Sequence, residues 1–214
     1  MPAAETILKN LQAIVKEGLA FSILARALLL GLVGYFVWRK RLEAPYLAGY
    51  VGLVLLAASV MAIGFQDHAI IPTFFVLFPL GLLWGREALV MPPRPAPSAP
   101  RLVLASAFAL FAFFYPHFMG GPWRAAAFAP LGILPCPTLI FASAAIIAAG
   151  RSFSLYAVIP TWVIALLYGL IGVFYLGVKE DWPLVAAVPV SLVAYVLAPA
   201  GEARPRGRKF KRRH

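Results

Sequence analysis

The chain has 214 residues, of which 62% are hydrophobic and only 13% are charged, and its mean hydropathy is +0.86. A soluble domain of this size has about 45–50% apolar and about 25% charged residues. The composition therefore excludes a soluble globular protein and indicates an integral membrane protein. The formal net charge of +11 does not imply a nucleic-acid partner, because Lys and Arg collect on the cytoplasmic side of membrane proteins.

Residues 1–20 predict an amphipathic helix. The apolar positions that recur at helical spacing are Ile7, Leu8, Leu11, Ile14, Val15 and Leu19. Such a helix is expected to lie flat on the outer membrane surface, and a helix that binds a partner protein is the alternative. Charged residues are mixed into this segment, which does not fit a cleavable signal peptide.

Seven apolar segments occupy residues 21–199. The predicted spans are 21–38, 45–65, 69–85, 102–119, 137–150, 153–177 and 183–198. A hydrocarbon core of about 30 Å needs about 20 residues of helix, so the fifth span is short and the seventh is marginal. Because backbone groups in lipid must satisfy their own hydrogen bonds, helices are expected. The predicted fold class is all-α, a polytopic transmembrane helical bundle with about seven spans.

The basic residues orient this bundle. Fourteen of the 19 Lys and Arg residues fall after the first, third, fifth and seventh spans, and four fall on the opposite side. The distribution predicts a bacterial inner-membrane protein with its N-terminus outside and its C-terminus in the cytoplasm. The lipid bilayer is the expected environment. The basic tail, residues 200–214, is expected to contact anionic headgroups.

No acidic residue falls in the middle of a predicted span. Intramembrane carboxylates are the usual mark of proton relays and ion-coupled carriers, so this pattern argues against such a transporter and against an aspartyl protease. Arg26 is the one charge inside a span. It is expected to extend to the interface or to pair with an outer-side acid (Asp67, Glu180 or Asp181), and a substrate-binding role is the alternative.

The segment Pro135-Cys136-Pro137-Thr138 is the candidate functional corner. Prolines are not accommodated inside a regular helix, so residues 125–134 are expected to form a re-entrant or lip segment, with Pro137 in the first turn of the fifth span. Cys136 would then lie at a helix N-terminus, where the dipole favours the thiolate. A purely structural corner is the alternative interpretation.

His68 and His117 are predicted at outer ends of spans, on the same side as Cys136. Sulfur and imidazole together suit a thiophilic metal, which makes these three residues a weak alternative site. The spacing matches no ligand motif, so neither a metal nor a cofactor is predicted. Gly81 and Gly85 form a G-x-x-x-G pattern, which predicts close helix packing and is compatible with a homo-oligomer.

The second half of the chain resembles a bacterial family of multi-pass membrane proteins of unknown function. That family carries a Pro-Cys-Pro-Thr-x-Ile-Phe signature, matched here by residues 135–138 with Ile140 and Phe141. Gly172 and residues 176–181 resemble its second motif, whereas Leu139 and Ala142-Ser143 depart from its Thr-rich positions. The resemblance covers roughly residues 125–198. It implies a fold and a membrane location, but no reaction, substrate or cofactor.

These observations lead to a functional expectation. The chain is expected to be a non-enzymatic accessory or anchoring component of a membrane assembly, with a membrane-protein partner or a second copy of itself. The alternative is a small permease or a thiophilic-metal-handling protein with its site at the Pro135-Cys136-Pro137 corner.

Overall fold

The structure, a computed structural model, describes residues 4–39, 43–64, 71–90, 98–115 and 130–198. Within these ranges the regular elements are helical and no strand occurs, so the predicted all-α class is confirmed. The helices are α1 (Ala4–Glu17), α2 (Leu19–Arg39), α3 (Ala44–Gly64), α4 (Ile71–Val90), α5 (Ala99–Phe113), α6 (Pro135–Ala149), α7 (Leu155–Leu170) and α8 (Trp182–Val196). A π-helical turn (Ile171–Tyr175) extends α7, and short 3-10 turns cover Gly150–Ser152 and Lys179–Asp181.

Among the described residues, four helices are long and apolar enough to cross a membrane. They are Leu19–Arg39, Ala44–Ile63, Pro72–Val90 and Leu155–Tyr175, which fall in the first, second, third and sixth predicted spans. The helices that fall in the other three predicted spans are α5, α6 and α8, and each has 15 residues. Helices of this length extend about 22 Å, which is less than a hydrocarbon core of about 30 Å. Helix α4 continues to Val90, past residue 85, where the third predicted span ends.

Helix α6 is the centre of the bundle. Its residues from Pro137 to Ala148 are buried on all sides of the helix, and α3, α5, α7 and α8 pack around it. A helix that is apolar all round is buried either in protein or in lipid, and here protein surrounds it. Because its neighbours are protein, the length of α6 does not have to match the thickness of a bilayer.

Helices α3 and α4 pack closely through glycine. A Cβ atom added to Gly52 would lie 2.9 Å from the backbone N of Gly85 and 3.0 Å from the carbonyl O of Gly81. The G-x-x-x-G pattern on α4 therefore serves contact within the chain, as small residues at helix interfaces commonly do. A Cβ atom added to Gly81 would lie 2.8 Å from Cγ of Leu56, whereas one added to Gly85 would meet nothing within 4 Å.

Helix α1 covers one end of the bundle. Ile14 and Val15 are buried in a small cluster with Ala62 of α3 and with Ile133 and Leu134, which precede α6. The amphipathic helix predicted from the sequence is thus present, and its apolar side packs on protein. Its placement on the outer membrane surface stays a prediction.

Polar contacts at the other end of the bundle connect helix termini. The Glu87 carboxylate near the end of α4 accepts hydrogen bonds from the backbone N (2.9 Å) and Oγ (2.5 Å) of Ser154, which precedes α7. Arg101 donates to the carbonyl of Ile147 in the last turn of α6 at 3.1 and 2.8 Å. Arg151 donates to the carbonyl of Val196 at the end of α8 at 2.8 Å. The two arginines thus satisfy carbonyls that a helix C-terminus leaves without intrahelical partners.

Candidate functional site

The corner before α6 is a tight turn that ends in a helix N-terminus. The backbone N–H groups of Ile133 and Leu134 donate to the carbonyl of Pro130 at 3.1 and 3.0 Å. Gly132 adopts a φ of 77°, in the left-handed region that glycine tolerates best. Helix α6 then begins at Pro135, so Pro137 lies in its first turn, as predicted. Residues 130–134 are the described part of the predicted re-entrant segment, and residues 125–129 lie outside the described ranges.

The prolines suit this buried helix end. The first four N–H groups of a helix have no intrahelical acceptor, and a proline has no N–H. With Pro135 and Pro137 in the first turn, fewer buried donors need an outside partner. Thr138 completes the turn: its hydroxyl donates to the carbonyl of Leu134 at 2.7 Å and accepts from the N–H of Gly132 at 3.1 Å. Thr138 is therefore fixed by local backbone contacts.

A buried carboxylate lies next to Cys136. The Cys136 thiol donates to Oδ2 of Asp181 at 3.4 Å, and the Tyr115 hydroxyl donates to Oδ1 at 2.5 Å. Asp181 is 2% exposed and Tyr115 is 1% exposed, whereas Cys136 is half-buried. The carboxylate therefore joins the end of α5, the start of α6 and the start of α8. We call Tyr115, Cys136 and Asp181 the carboxylate cluster.

Gly172 makes room for this carboxylate. A Cβ atom added there would lie 2.7 Å from Cγ of Asp181, and closer still to its Oδ2. Gly172 lies in the π-helical turn after α7, and its carbonyl accepts from the N–H of Val178 at 2.8 Å. The N–H of Asp181 in turn donates to the carbonyl of Val178 at 3.1 Å. The irregular backbone between α7 and α8 thus directs the Asp181 side chain into the bundle.

The carboxylate cluster corrects the expectation of a thiolate at Cys136. A thiolate 3.4 Å from Asp181 would place two negative charges in a site that excludes water, which like-charge repulsion and desolvation both disfavour. The contact is instead that of a protonated thiol donating to a carboxylate. The argument from the missing intramembrane acids is also weakened, because Asp181 and Glu87 are both buried at helix ends.

Of the possible outer-side partners that the structure describes, which are Arg26, Glu180 and Asp181, Asp181 accepts a hydrogen bond from Cys136. Glu180 precedes it in the same 3-10 turn and is half-buried. Arg26 is 5% exposed, and its guanidinium lies 4.1 Å from the centroid of the Phe113 ring. Arg26 therefore makes a cation–π contact inside the bundle, and its extension to the membrane interface or its pairing with an outer-side acid stays a prediction.

The remaining predicted residues, Asp67, His68 and His117, lie outside the described ranges, as does the basic tail from residue 200 onward. The weak metal alternative depended on both histidines. In the part of the chain that the structure describes, no group of three or more His, Cys, Asp and Glu residues is arranged to hold a metal ion.

Sequence reasoning missed Tyr115. It lies near the end of the fourth predicted span, where an aromatic residue is ordinary, and 66 positions separate it from Asp181. A second missed contact is the hydrogen bond from the Tyr168 hydroxyl to Oγ1 of Thr73 at 2.8 Å, which joins α7 to α4. Neither pairing has a local sequence signal, because both depend on how distant helices pack.

Over the residues that the structure describes, the protein is helical, has four helices long and apolar enough to cross a membrane, and holds the carboxylate cluster at one end. Comparison with known proteins finds no matching family model, no matching curated protein and no matching solved structure. The functional argument therefore rests on the residues of this chain.

Proposed function

We propose that this chain is a seven-span integral protein of the bacterial cytoplasmic membrane, with α2 to α8 as its spans. The arrangement of helix ends supports this proposal. Glu87, Arg101 and Arg151 make their contacts where α4, α6 and α8 end and where α5 and α7 begin. The carboxylate cluster lies where α5 ends and where α6 and α8 begin. Consecutive membrane spans place their ends in this way, because successive helices start at opposite faces of the membrane.

The positions of the arginines support the orientation. Arg101 and Arg151 contact helix C-termini at one end, and the sequence places most of its basic residues in segments that belong to this same end. Under the positive-inside rule this end faces the cytoplasm. The carboxylate cluster and α1 then belong to the outer side.

Reporter fusions test this topology. Fusions after Ser98, Ser152 and His214 should give a cytoplasmic signal, and fusions after Gly64 and Gly177 should give an external one. A fusion after Gly177 with a cytoplasmic signal would contradict the sixth and seventh spans. A cytoplasmic signal after Gly64 would contradict the second.

We infer that the carboxylate cluster is a structural lock, and that the protein acts as a non-enzymatic accessory or anchoring component through its helix surfaces. One observation carries this inference: the polar groups of the corner contact other groups of the chain. Thr138 is bonded to the turn before it, and Cys136 and Tyr115 both donate to Asp181. We also propose that the chain belongs to the family that carries the Pro-Cys-Pro-Thr-x-Ile-Phe signature. Both segments that resemble this family, the one at Cys136 and the one that includes Gly172 and Asp181, contribute to the structural lock.

Substitution of the cysteine tests the structural role. A Cys136→Ala protein loses one weak donor, so it should assemble in the membrane and complement a deletion strain as well as the wild type does. Ala148→Ser, a change of similar size in the same helix, is the control. A Cys136→Ala protein that keeps the wild-type unfolding temperature but fails to complement would refute a purely structural role.

A small permease is the second candidate, and the buried carboxylate favours it. A buried acid between helices is a common element of proton-coupled carriers, and Asp181 lies against a half-buried cysteine. In this case Cys136 should react quickly with a small, membrane-impermeant thiol reagent added from outside. Protection of Cys136 until the protein is unfolded would remove the access path that a permease requires.

A further inference from the structure

A lateral cleft opens between α2 and α5. Its volume is about 710 Å³, and Ser106 is the one polar residue among those that line it. Val33 and Val37 of α2 form one wall, Leu102 and Ala109 of α5 form the other, and Ala145 of α6 lies at its floor. Pockets that bind small molecules have volumes of about 300–1,000 Å³.

The cleft exists because the fully buried residues of α2 all lie in its first half. The second half meets the bundle only through partly buried side chains, such as Leu32 and Tyr35, whose ring centroid lies 5.5 Å from that of Tyr46. The buried residues of α2 are Ser22, Ala25, Arg26 and Leu29. Beyond them, Leu30 is 60% exposed and Val37 is 72% exposed. The facing helices carry small residues along the cleft, including Ala109 and Ala145, and α2 does not fill the space that they leave.

The shape of the cleft fits an acyl chain. The lining on α5 runs from Leu102 to Phe114, and a helical segment of this length rises about 18 Å. On the proposed topology this stretch lies in the hydrocarbon region, where lipid tails are the surrounding solvent. An apolar cleft at that depth is filled by a hydrocarbon chain without any loss of hydrogen bonds.

A basic group stands at one end of the cleft. Arg39 ends α2 one helical turn beyond Phe36, which lines the cleft, and Arg39 is exposed. Its guanidinium lies 5.9 Å from the Tyr35 ring centroid. Basic groups beside grooves between helices at the cytoplasmic face bind anionic lipid headgroups.

We propose that this cleft holds an acyl chain of an anionic phospholipid from the cytoplasmic leaflet, with the lipid phosphate at Arg39. The proposal rests on the topology given under the proposed function, which sets Arg39 at the cytoplasmic face. The guanidinium suits a phosphate, because it presents several N–H donors in a planar fork. Zwitterionic lipids of the same chain length fill the cleft but lack the net charge that favours Arg39.

Lipid titration of the delipidated protein, followed by native mass spectrometry, tests the proposal. The probes are phosphatidylglycerol and phosphatidylcholine with identical acyl chains. Ala109→Phe fills the cleft and should weaken binding of both lipids at least tenfold. Ala107→Phe on the exposed side of the same helix is the matched control and should leave binding unchanged. Should Ala109→Phe fail to fold, Ser106→Trp at the open side of the cleft replaces it.

The charge is tested separately. Arg39→Gln should lower the preference for phosphatidylglycerol by about fivefold, the equivalent of one basic residue near an anionic surface, and should leave phosphatidylcholine binding unchanged. Arg86→Gln, at an exposed arginine of α4, is the control. Retention of the preference in Arg39→Gln would overturn the headgroup assignment.

Two further outcomes would overturn the acyl-chain assignment. One is equal lipid binding by the Ala109→Phe and Ala107→Phe proteins. The other is loss of a dimer in Ala109→Phe with lipid binding intact, which would assign the cleft to a second copy of the chain. The reporter fusions test the topology independently of these two outcomes. They can contradict the topology while the cleft still binds lipid, and they can support the topology while the cleft binds no lipid.

Discussion

Replacing Gly172 by alanine should destabilise the protein strongly, although the change adds only one methyl group. The new Cβ would lie 2.7 Å from Cγ of Asp181, so the carboxylate has to leave its position. Overpacking of a tight core costs about 1–3 kcal/mol. Loss of a hydrogen bond to a charged group adds about 1.5–3 kcal/mol, because the Tyr115 hydroxyl remains buried. The expected loss of unfolding free energy is therefore about 2.5–6 kcal/mol.

Chemical unfolding of the purified protein in detergent, followed by tryptophan fluorescence, measures this loss. Gly34→Ala is the control, because a Cβ at Gly34 would meet nothing within 4 Å, and alanine in a helix is favoured over glycine by about 1 kcal/mol. In an Asp181→Ala background the Gly172→Ala change should cost much less, since the carboxylate is gone. Equal stabilities of the Gly172→Ala and Gly34→Ala proteins would refute the close contact between Asp181 and residue 172.

Tyr115→Phe should lower the unfolding free energy by about 1–3 kcal/mol, because it removes a donor from a buried carboxylate. The control, Tyr156→Phe on an exposed side of α7, should change it by less than about 0.5 kcal/mol. Equal losses in the two proteins would show that Tyr115 does not belong to the carboxylate cluster. Arg101→Gln should lower the unfolding free energy by about 1–2 kcal/mol, because the last turn of α6 loses its cationic cap. An unchanged unfolding midpoint would show that this contact does not contribute to stability. Asp181→Asn should speed the reaction of Cys136 with a small thiol reagent about tenfold at constant pH, because the neighbouring negative charge no longer opposes the thiolate, and an unchanged rate would separate the two side chains.

Much of the fold follows from hydropathy, because a run of apolar residues has few stable alternatives in lipid. Predicted spans and observed helices overlap throughout the described ranges, and no strand interrupts them there. The positions at which the helices end are less predictable. Helix α4 passes through Arg86 and Glu87 to Val90, since Glu87 is buried against Ser154 and can remain inside a helix. A sequence pattern gives the charge of a residue but not the partner that satisfies it.

The candidate site was predictable in part. Two prolines around Cys136 indicate an irregular helix start, and the structure has one. Asp181 was among several possible partners, and nothing in the sequence preferred it to Glu180. The preference comes from packing: the absence of a side chain at Gly172 leaves the space that the Asp181 carboxylate occupies. Tyr115 could not be found at all, because its role depends on the end of α5 lying beside the start of α8.

The carboxylate cluster also explains why the argument from the helix dipole selected the wrong anion. Helix α6 begins at Pro135 and α8 begins at Trp182, so two helix N-termini lie beside Asp181. Each carries a partial positive charge and favours an anion. A carboxyl group ionises far more readily than a thiol, so the negative charge resides on Asp181 and the neighbouring Cys136 keeps its proton. Burial of that charge is costly unless it is hydrogen-bonded, and Tyr115 and Cys136 supply two donors. The cysteine thus acts as a donor to the anion that the dipoles stabilise, which is why we assign it to the structural lock rather than to covalent chemistry.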